Sequence, residues 1–210
     1  MKKGLFVSLE GTDGSGKSTQ LKLIKSYLDG KGYDPIITRE PGGTPVGEKI
    51  RELLLDRKYT EIDDVAEALL YAAARAQHVC ELIKPALLSG RIVICDRFID
   101  SSFVYQGYGR ELGDFVKGIN EFALTDCMPD KTFLFKVNAE TLRSRNSGKD
   151  RDRLECERAE FYSRVQKGYE ELEKKHPGRI IGIDASGSAE EIHAVVKGHL
   201  EGILKEYYDV

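Results

Sequence analysis

An excess of charge of either sign is missing from this chain. Its 210 residues carry 32 basic and 35 acidic side chains, a formal net charge of −3. That balance excludes the global basic field of a protein built around nucleic acid polymers, and no basic amphipathic stretch points to a membrane surface. A small anionic ligand must therefore be held by local positive groups. Cysteine is scarce: Cys80, Cys95, Cys127 and Cys156 are dispersed, with no C-x-x-C pair. This gives little support to a zinc or redox site or a disulfide framework, and implies reduced thiols in a cytoplasmic protein. Long apolar runs are also missing. The run after the basic N-terminus covers only Leu5 to Leu9 before Glu10-Gly11, too short for a signal-peptide core or a membrane span. Internal repeats and low-complexity segments are absent. The length suits one α/β domain over 1–210, with or without a small lid, and buries enough core to need no disulfides.

What is present alternates. Apolar bursts at Leu5–Leu9, Pro35–Thr38, Ile92–Cys95, Thr132–Phe135 and Ile180–Ile183 read as five strands. Between them run helical spacings: Leu21, Ile24 and Leu28; Val46, Ile50 and Leu53; a longer helix over roughly Asp63 to Leu88; and Ile192, Val195, Val196 and Leu200 at the end. Such alternation predicts a parallel sheet covered by helices on both faces, with ligands at the carboxyl ends of the strands.

The segment Gly11-Thr12-Asp13-Gly14-Ser15-Gly16-Lys17-Ser18 fits G-x-x-x-x-G-K-[ST] and lies between a predicted strand and a predicted helix. Glycines let backbone N–H groups converge on phosphate oxygens, and the helix N-terminus adds favourable partial charge. Lys17 can reach the outer phosphates and Ser18 can offer its hydroxyl to Mg²⁺. Gly11, Asp13, Gly14, Ser15, Gly16, Lys17, Ser18 and Thr19 are thus the candidate nucleotide-phosphate residues. The motif alone does not choose a reaction, since GTPases, motor ATPases and small-molecule kinases share it. No base-reading N-K-x-D is present, which argues against a GTPase.

The third strand ends in Asp96-Arg97. The acid can serve a metal, and the arginine can fork onto a phosphate; an isolated pair is equally a strand-end ion pair. The run Asp96-Arg97-Phe98-Ile99-Asp100-Ser101-Ser102-Phe103-Val104-Tyr105-Gln106-Gly107 closely resembles the signature of thymidylate kinases. So do Arg39-Glu40-Pro41-Gly42-Gly43-Thr44, the lid-like Asp152-Arg153-Leu154-Glu155, and the late Ile183-Asp184-Ala185, all in family order. The resemblance implies a P-loop nucleoside monophosphate kinase fold, with a five-stranded parallel sheet, helices on both faces and a small lid at about 143–157. It implies transfer of a phosphoryl group from ATP to dTMP with Mg²⁺, in a homodimer whose long 63–88 helix could form the interface. By the same resemblance Arg97, Arg51 and Arg39 serve the dTMP phosphate side. Tyr71, where many relatives have Phe, stacks on the base, and Arg75 donates to its O4 side. Ser102 and Gln106 meet the base, and Tyr105 disfavours a ribose. Asp13 meets the 3′-hydroxyl or the metal shell; Ser18 and Asp96 are the metal candidates. Asn138 stands where relatives often place an acid. On the residues alone, Tyr71 and Arg75 four apart are an ordinary helical pair.

The run from Arg143 to Arg158 carries Arg143, Arg145, Lys149, Arg151, Arg153 and Arg158. Its acids are interleaved, as on a solvated face. The phosphate loop, however, offers no second cation, and transfer between two anions needs one. Arg151 and Arg153 are the candidate catalytic arginines beside Lys17, Arg97 and Arg51, on a flap outside the core. A kinase of another nucleotide or nucleoside, and a non-catalytic nucleotide-binding switch, are the competing readings.

Overall fold

Five short apolar segments become strands: β1 (Phe6–Glu10), β2 (Ile36–Arg39), β3 (Val93–Asp96), β4 (Lys131–Lys136) and β5 (Ile180–Asp184). The computed structural model describes residues 4–138, 141–142, 145 and 152–208. All neighbouring strands pair in parallel, in the order β2-β3-β1-β4-β5. Central β1 is buried along its whole length, its polar residues Ser8 and Glu10 included.

Side-chain alternation divides the core. Val7, Leu9, Ile94, Phe133 and Phe135 pack on one face against Ile24 and Leu28 of α1 (Lys17–Gly30) and Ile192, Val196 and Leu200 of α8 (Ala189–Tyr208). On the other face, Phe6, Val93 and Cys95 meet Val79, Ile83, Ala86 and Phe98. Leu134 and Ile180 meet Val104, Tyr105, Phe161 and Val165. The expected helix-covered parallel sheet is therefore found.

Helix α2 (Pro45–Leu55) begins where Thr44 accepts from the Gly47 N–H, with proline in the first turn. Asp63 caps α3 (Asp64–His78) through the N–H groups of Val65 and Ala66. The long helix expected to Leu88 runs unbroken as α3, a wide π-helical stretch (Val79–Ile83) and α4 (Lys84–Leu88). Pro85 has no N–H to donate and its ring crowds the preceding turn, and the widened stretch lies directly before it. A second wide stretch (Phe103–Gly109) extends α5 (Ile99–Ser102), so Tyr105 and Gln106 sit within it. Helices α6 (Asp114–Leu124) and α7 (Ala159–Lys175) were not anticipated. For α7 the signal was present, because Phe161, Val165, Tyr169 and Leu172 have helical spacing and are all buried.

The charged run was expected to stand outside the core. In its described part, Arg153 and Leu154 are buried, the latter in a 3₁₀ turn (Leu154–Cys156). Among the described residues no helix is long and apolar enough to cross a membrane.

Candidate active site

Register sets the site. Leu9 pairs with Asp96, and the Arg97 N–H donates to the Leu9 carbonyl at 2.9 Å. The loop after β1 and the turn after β3 therefore leave the sheet side by side. They open into a cavity of about 710 Å³. Its lining includes Asp13, Gly14, Gly16, Lys17, Ser18 and Thr19. Arg39, Arg51, Tyr71, Arg75, Asp96, Arg97, Ser102, Tyr105 and Gln106 line the same cavity.

The phosphate loop needs its glycines for space as well as for torsion. Gly11 has φ 137°, and a Cβ there would lie 2.5 Å from the Phe135 carbonyl oxygen. Gly16, at φ 94°, precedes the first turn of α1, whose free N–H groups make an anion site. Lys17 is buried and its ammonium donates to the Gly11 and Thr12 carbonyls at 2.9 and 3.0 Å. Burial, and then the Arg97 charge, bring it down to about 8. A phosphate beside it restores the preference for the charged form.

Arg97 has φ 66°, a left-handed conformation that is uncommon and costly for a side chain of this size. Its Nη2 donates to Asp13 Oδ1 at 2.9 Å, and its Nη1 to Ser101 Oγ at 3.1 Å and the Tyr169 hydroxyl at 3.4 Å. The guanidinium also lies over the Tyr105 ring, 5.2 Å from its centroid. Burial raises the Asp13 carboxyl, but the Arg97 and Lys17 charges outweigh it and hold it at about 2. Arg51 reaches the Pro41 carbonyl at 2.9 Å, while exposed Arg39 is paired with Glu48.

Arg75 is 1% exposed. It donates to Glu40 Oε2 at 2.8 Å, to Asn120 Oδ1 and to the Phe98 carbonyl. Glu40 also meets His78 Nδ1 at 3.0 Å, and the other ring nitrogen meets Thr38. This buried network fixes the guanidinium plane at the cavity wall. Beside it, fully buried Glu67 accepts from Gln106 Nε2 at 2.9 Å, from Arg110 Nη2 at 3.0 Å and from Arg153 Nη2 at 2.6 Å. Only the NH₂ end of Gln106 can face a carboxylate, so its Oε1 is turned away from Glu67.

Two expectations need restating. Arg153, read as a catalytic arginine, does not line the cavity: it is tied to Glu67 and to the Leu54 carbonyl. Its neighbours Asp152, Leu154 and Glu155 do line it. Arg151 lies outside the described residues. Arg145 lines the cavity and donates to the Ala185 and Gly187 carbonyls at 2.9 and 3.1 Å, next to the late Ile183-Asp184-Ala185 segment. Sequence reasoning passed over Glu10, Glu40, Glu67, Asp100 and Tyr169. Asp100 is fixed from both oxygens by Arg179 at 2.6 and 2.7 Å. Glu40 and Asp100 sat inside motifs already quoted; Tyr169 had only its helical spacing.

For Mg²⁺, the donor set fits the ion's habit of keeping water and substrate oxygens and taking few protein ligands. Ser18 is exposed at the cavity. Asp96 Oδ1 is buried and, among the described residues, has no hydrogen-bond partner.

One cavity lined by both a phosphate loop and a fixed, aimed arginine suits transfer between two phosphorylated small molecules. The class so defined is the P-loop nucleoside monophosphate kinases. Residues 9–196 match the family model described as thymidylate kinase. A thymidylate kinase of Halothermothrix orenii is 50% identical over 207 residues, covering 96% of this chain and 99% of the relative. One of Caldanaerobacter subterraneus subsp. tengcongensis is 50% identical over 204 residues, covering 97% and 98%. The crystal structure of thymidylate kinase from Ehrlichia chaffeensis superposes with a TM-score of 0.77 at 35% identity, covering 95% of this chain and 99% of that one. The chain belongs to the thymidylate kinase family.

Proposed function

We propose that the protein phosphorylates dTMP to dTDP with ATP and Mg²⁺, in the cytoplasm, as a step toward dTTP. The observation that carries this reading is the shared cavity, lined by Lys17 and the α1 N-terminus together with Arg97, Arg51, Tyr71, Arg75 and Gln106. The phosphate-loop amides and Lys17 hold the ATP phosphates. Arg97 and Arg51 neutralise and aim the acceptor phosphate, whose oxygen is already anionic, so no general base is needed. Ser18 and Asp96 would hold Mg²⁺, which when bound neutralises charge on the phosphate oxygens. The base stacks on Tyr71, with Arg75 and Gln106 supplying directional polar contacts. Ser102 completes that wall and Tyr105 lies on the sugar side. A lid cation comes from the basic run, with Arg145 and Arg151 the candidates; Arg153 acts there as a tie. Catalysis is then positioning and electrostatic stabilisation in a site closed to water.

Coupled ADP release with Mg-ATP and dTMP, dUMP, UMP, dCMP or AMP tests this. Turnover is expected to be highest with dTMP. The margin over dUMP should be modest, about 10- to 200-fold, because one methyl group carries it. Preference for another acceptor would refute the pocket assignment, and ADP release independent of any acceptor would refute the kinase reading.

We further propose a homodimer and treat residues 1–210 as one domain with a lid at about 143–157. Val65 and Leu69 on α3 and Phe115 and Phe122 on α6 are exposed, Phe122 at 86%, and these two helices pack together. Such apolar exposure suits a protein contact. Light scattering should give twice the 23.5 kDa chain mass; the mass of one chain would reject the dimer.

A further inference from the structure

One buried acid beside the site has no part in the mechanism above. Glu10 ends β1, directly before the first glycine of the phosphate loop, and is 0% exposed. It does not line the cavity, so it touches no substrate there. A buried carboxylate is costly unless its oxygens are satisfied. Four donors satisfy this one. Oε1 accepts from the N–H groups of Phe98 at 2.8 Å and Ser101 at 3.2 Å. Oε2 accepts from Ser101 Oγ at 2.6 Å and from the Tyr169 hydroxyl at 3.0 Å. Burial and the nearby Asp100 carboxyl raise Glu10 to about 7, while Arg97 and the bonds from Ser101 and Phe98 oppose that rise.

Every one of these donors bears on Arg97. Phe98 is the next residue, and Ser101 lies one helical turn on. Together they clamp the backbone after a residue held at φ 66°, a conformation that persists only where its surroundings over-determine it. The two hydroxyls that donate to Glu10 are also the two that Arg97 Nη1 meets. A hydroxyl has one proton to give. Because Ser101 and Tyr169 give theirs to Glu10, they turn lone pairs toward the guanidinium, and each bond in the chain strengthens the next.

We propose that Glu10, acting through Ser101 and Tyr169, is the positioning residue that aims Arg97 at the acceptor phosphate. The inference rests on the acceptor-site reading given above. It makes Glu10 a residue of acceptor binding, although it sits beside the donor loop in sequence. Loss of Glu10 or of the Tyr169 hydroxyl releases Arg97 to other rotamers without altering the base pocket or the phosphate loop.

The test compares dTMP with thymidine, which has the same base and sugar but no phosphate. Calorimetry should show dTMP affinity reduced about threefold to tenfold in Tyr169→Phe and about tenfold to a hundredfold in Glu10→Gln. Thymidine and ATP affinities should stay within about twofold, and in an Arg97→Ala background neither change should weaken dTMP further. Tyr169→Phe removes one oxygen and keeps the ring, so the test stands even where Glu10→Gln fails to fold. Equal losses for dTMP and thymidine, or additive losses in the Arg97→Ala background, would overturn the positioning role alone. If Arg97→Ala itself weakens dTMP and thymidine equally, the acceptor-site reading falls and this inference falls with it.

Discussion

Replacing Arg97 with alanine is expected to lower kcat/KM for dTMP by about 10²–10³-fold, the usual loss when an aimed donor to developing charge is removed. ATP affinity should change by no more than about threefold. The asymmetry follows from the geometry. Among the described residues the hydrogen bond from Arg97 to the phosphate loop goes to the Asp13 side chain, while its Nη1 side is held by Ser101 and Tyr169 on the acceptor side. Asp13 is 40% exposed at its side chain, so water can resolvate the carboxylate once its partner is gone. Lysine at the same position should recover only a small part of the rate, because a point charge cannot reproduce a planar fork between two partners. Equilibrium ATP binding alongside steady-state rates checks this. Turnover within about tenfold of the unaltered enzyme would remove Arg97 from the acceptor site.

Glu67→Ala should be the most destabilising single change near the site. Its carboxylate is fully buried and accepts from Arg110, Arg153 and Gln106. Removing it takes a carboxylate from Arg110, which keeps Asp64 and Glu157, and from Arg153, a guanidinium 7% exposed that is left on the Leu54 carbonyl. Breaking a buried pair on one side costs about 3–5 kcal/mol. For a chain of this length that is a fall in Tm of roughly 6–20 °C. Burial raises the Glu67 carboxyl, but Arg110, Gln106 and Arg153 together bring it below its ordinary 4.5. A depressed folded-state value means the stabilisation is complete above the ordinary 4.5 and is lost as pH falls from there through the folded-state value. The gap in Tm between the two proteins should therefore be widest near neutrality and narrow in acid. KM for dTMP should rise as well, since Gln106 loses the carboxylate that fixes its amide. A shift of less than about 2 °C at neutral pH would mean that the two arginines find other partners, and that Arg153 is not a tie between the charged segment and α3.

The partners of Arg153 were not legible in its neighbours in sequence. Asp152-Arg153-Leu154-Glu155 reads as a basic flap because every local signal is polar. The residue that captures its guanidinium is 86 positions away on another helix. Glu67 lies one helical turn before Tyr71, with no motif around it to mark it. Arg75, on the residues alone one of an ordinary helical pair, is among the largest fully buried side chains. Glu40, Asn120 and the Phe98 carbonyl meet there from three separate segments. The wide turn before Pro85 was legible in principle, since the proline announces a missing donor, but its form was not.

The sequence by itself determined the five strands, their parallel class, the phosphate loop between β1 and α1, and the family. Each of these is written in consecutive residues or in a fixed period, where covalent geometry alone sets the distances. Only the tertiary structure decided which charges neighbour which: Glu10 under Arg97 through Ser101 and Tyr169, Glu40 on Arg75, Glu67 on Arg153. Those pairings join side chains separated by tens of residues or more, and they depend on sheet register and on the direction in which each donor points. A charged side chain reads the same in sequence whether water or a buried partner will satisfy it, and the folded surroundings decide between the two.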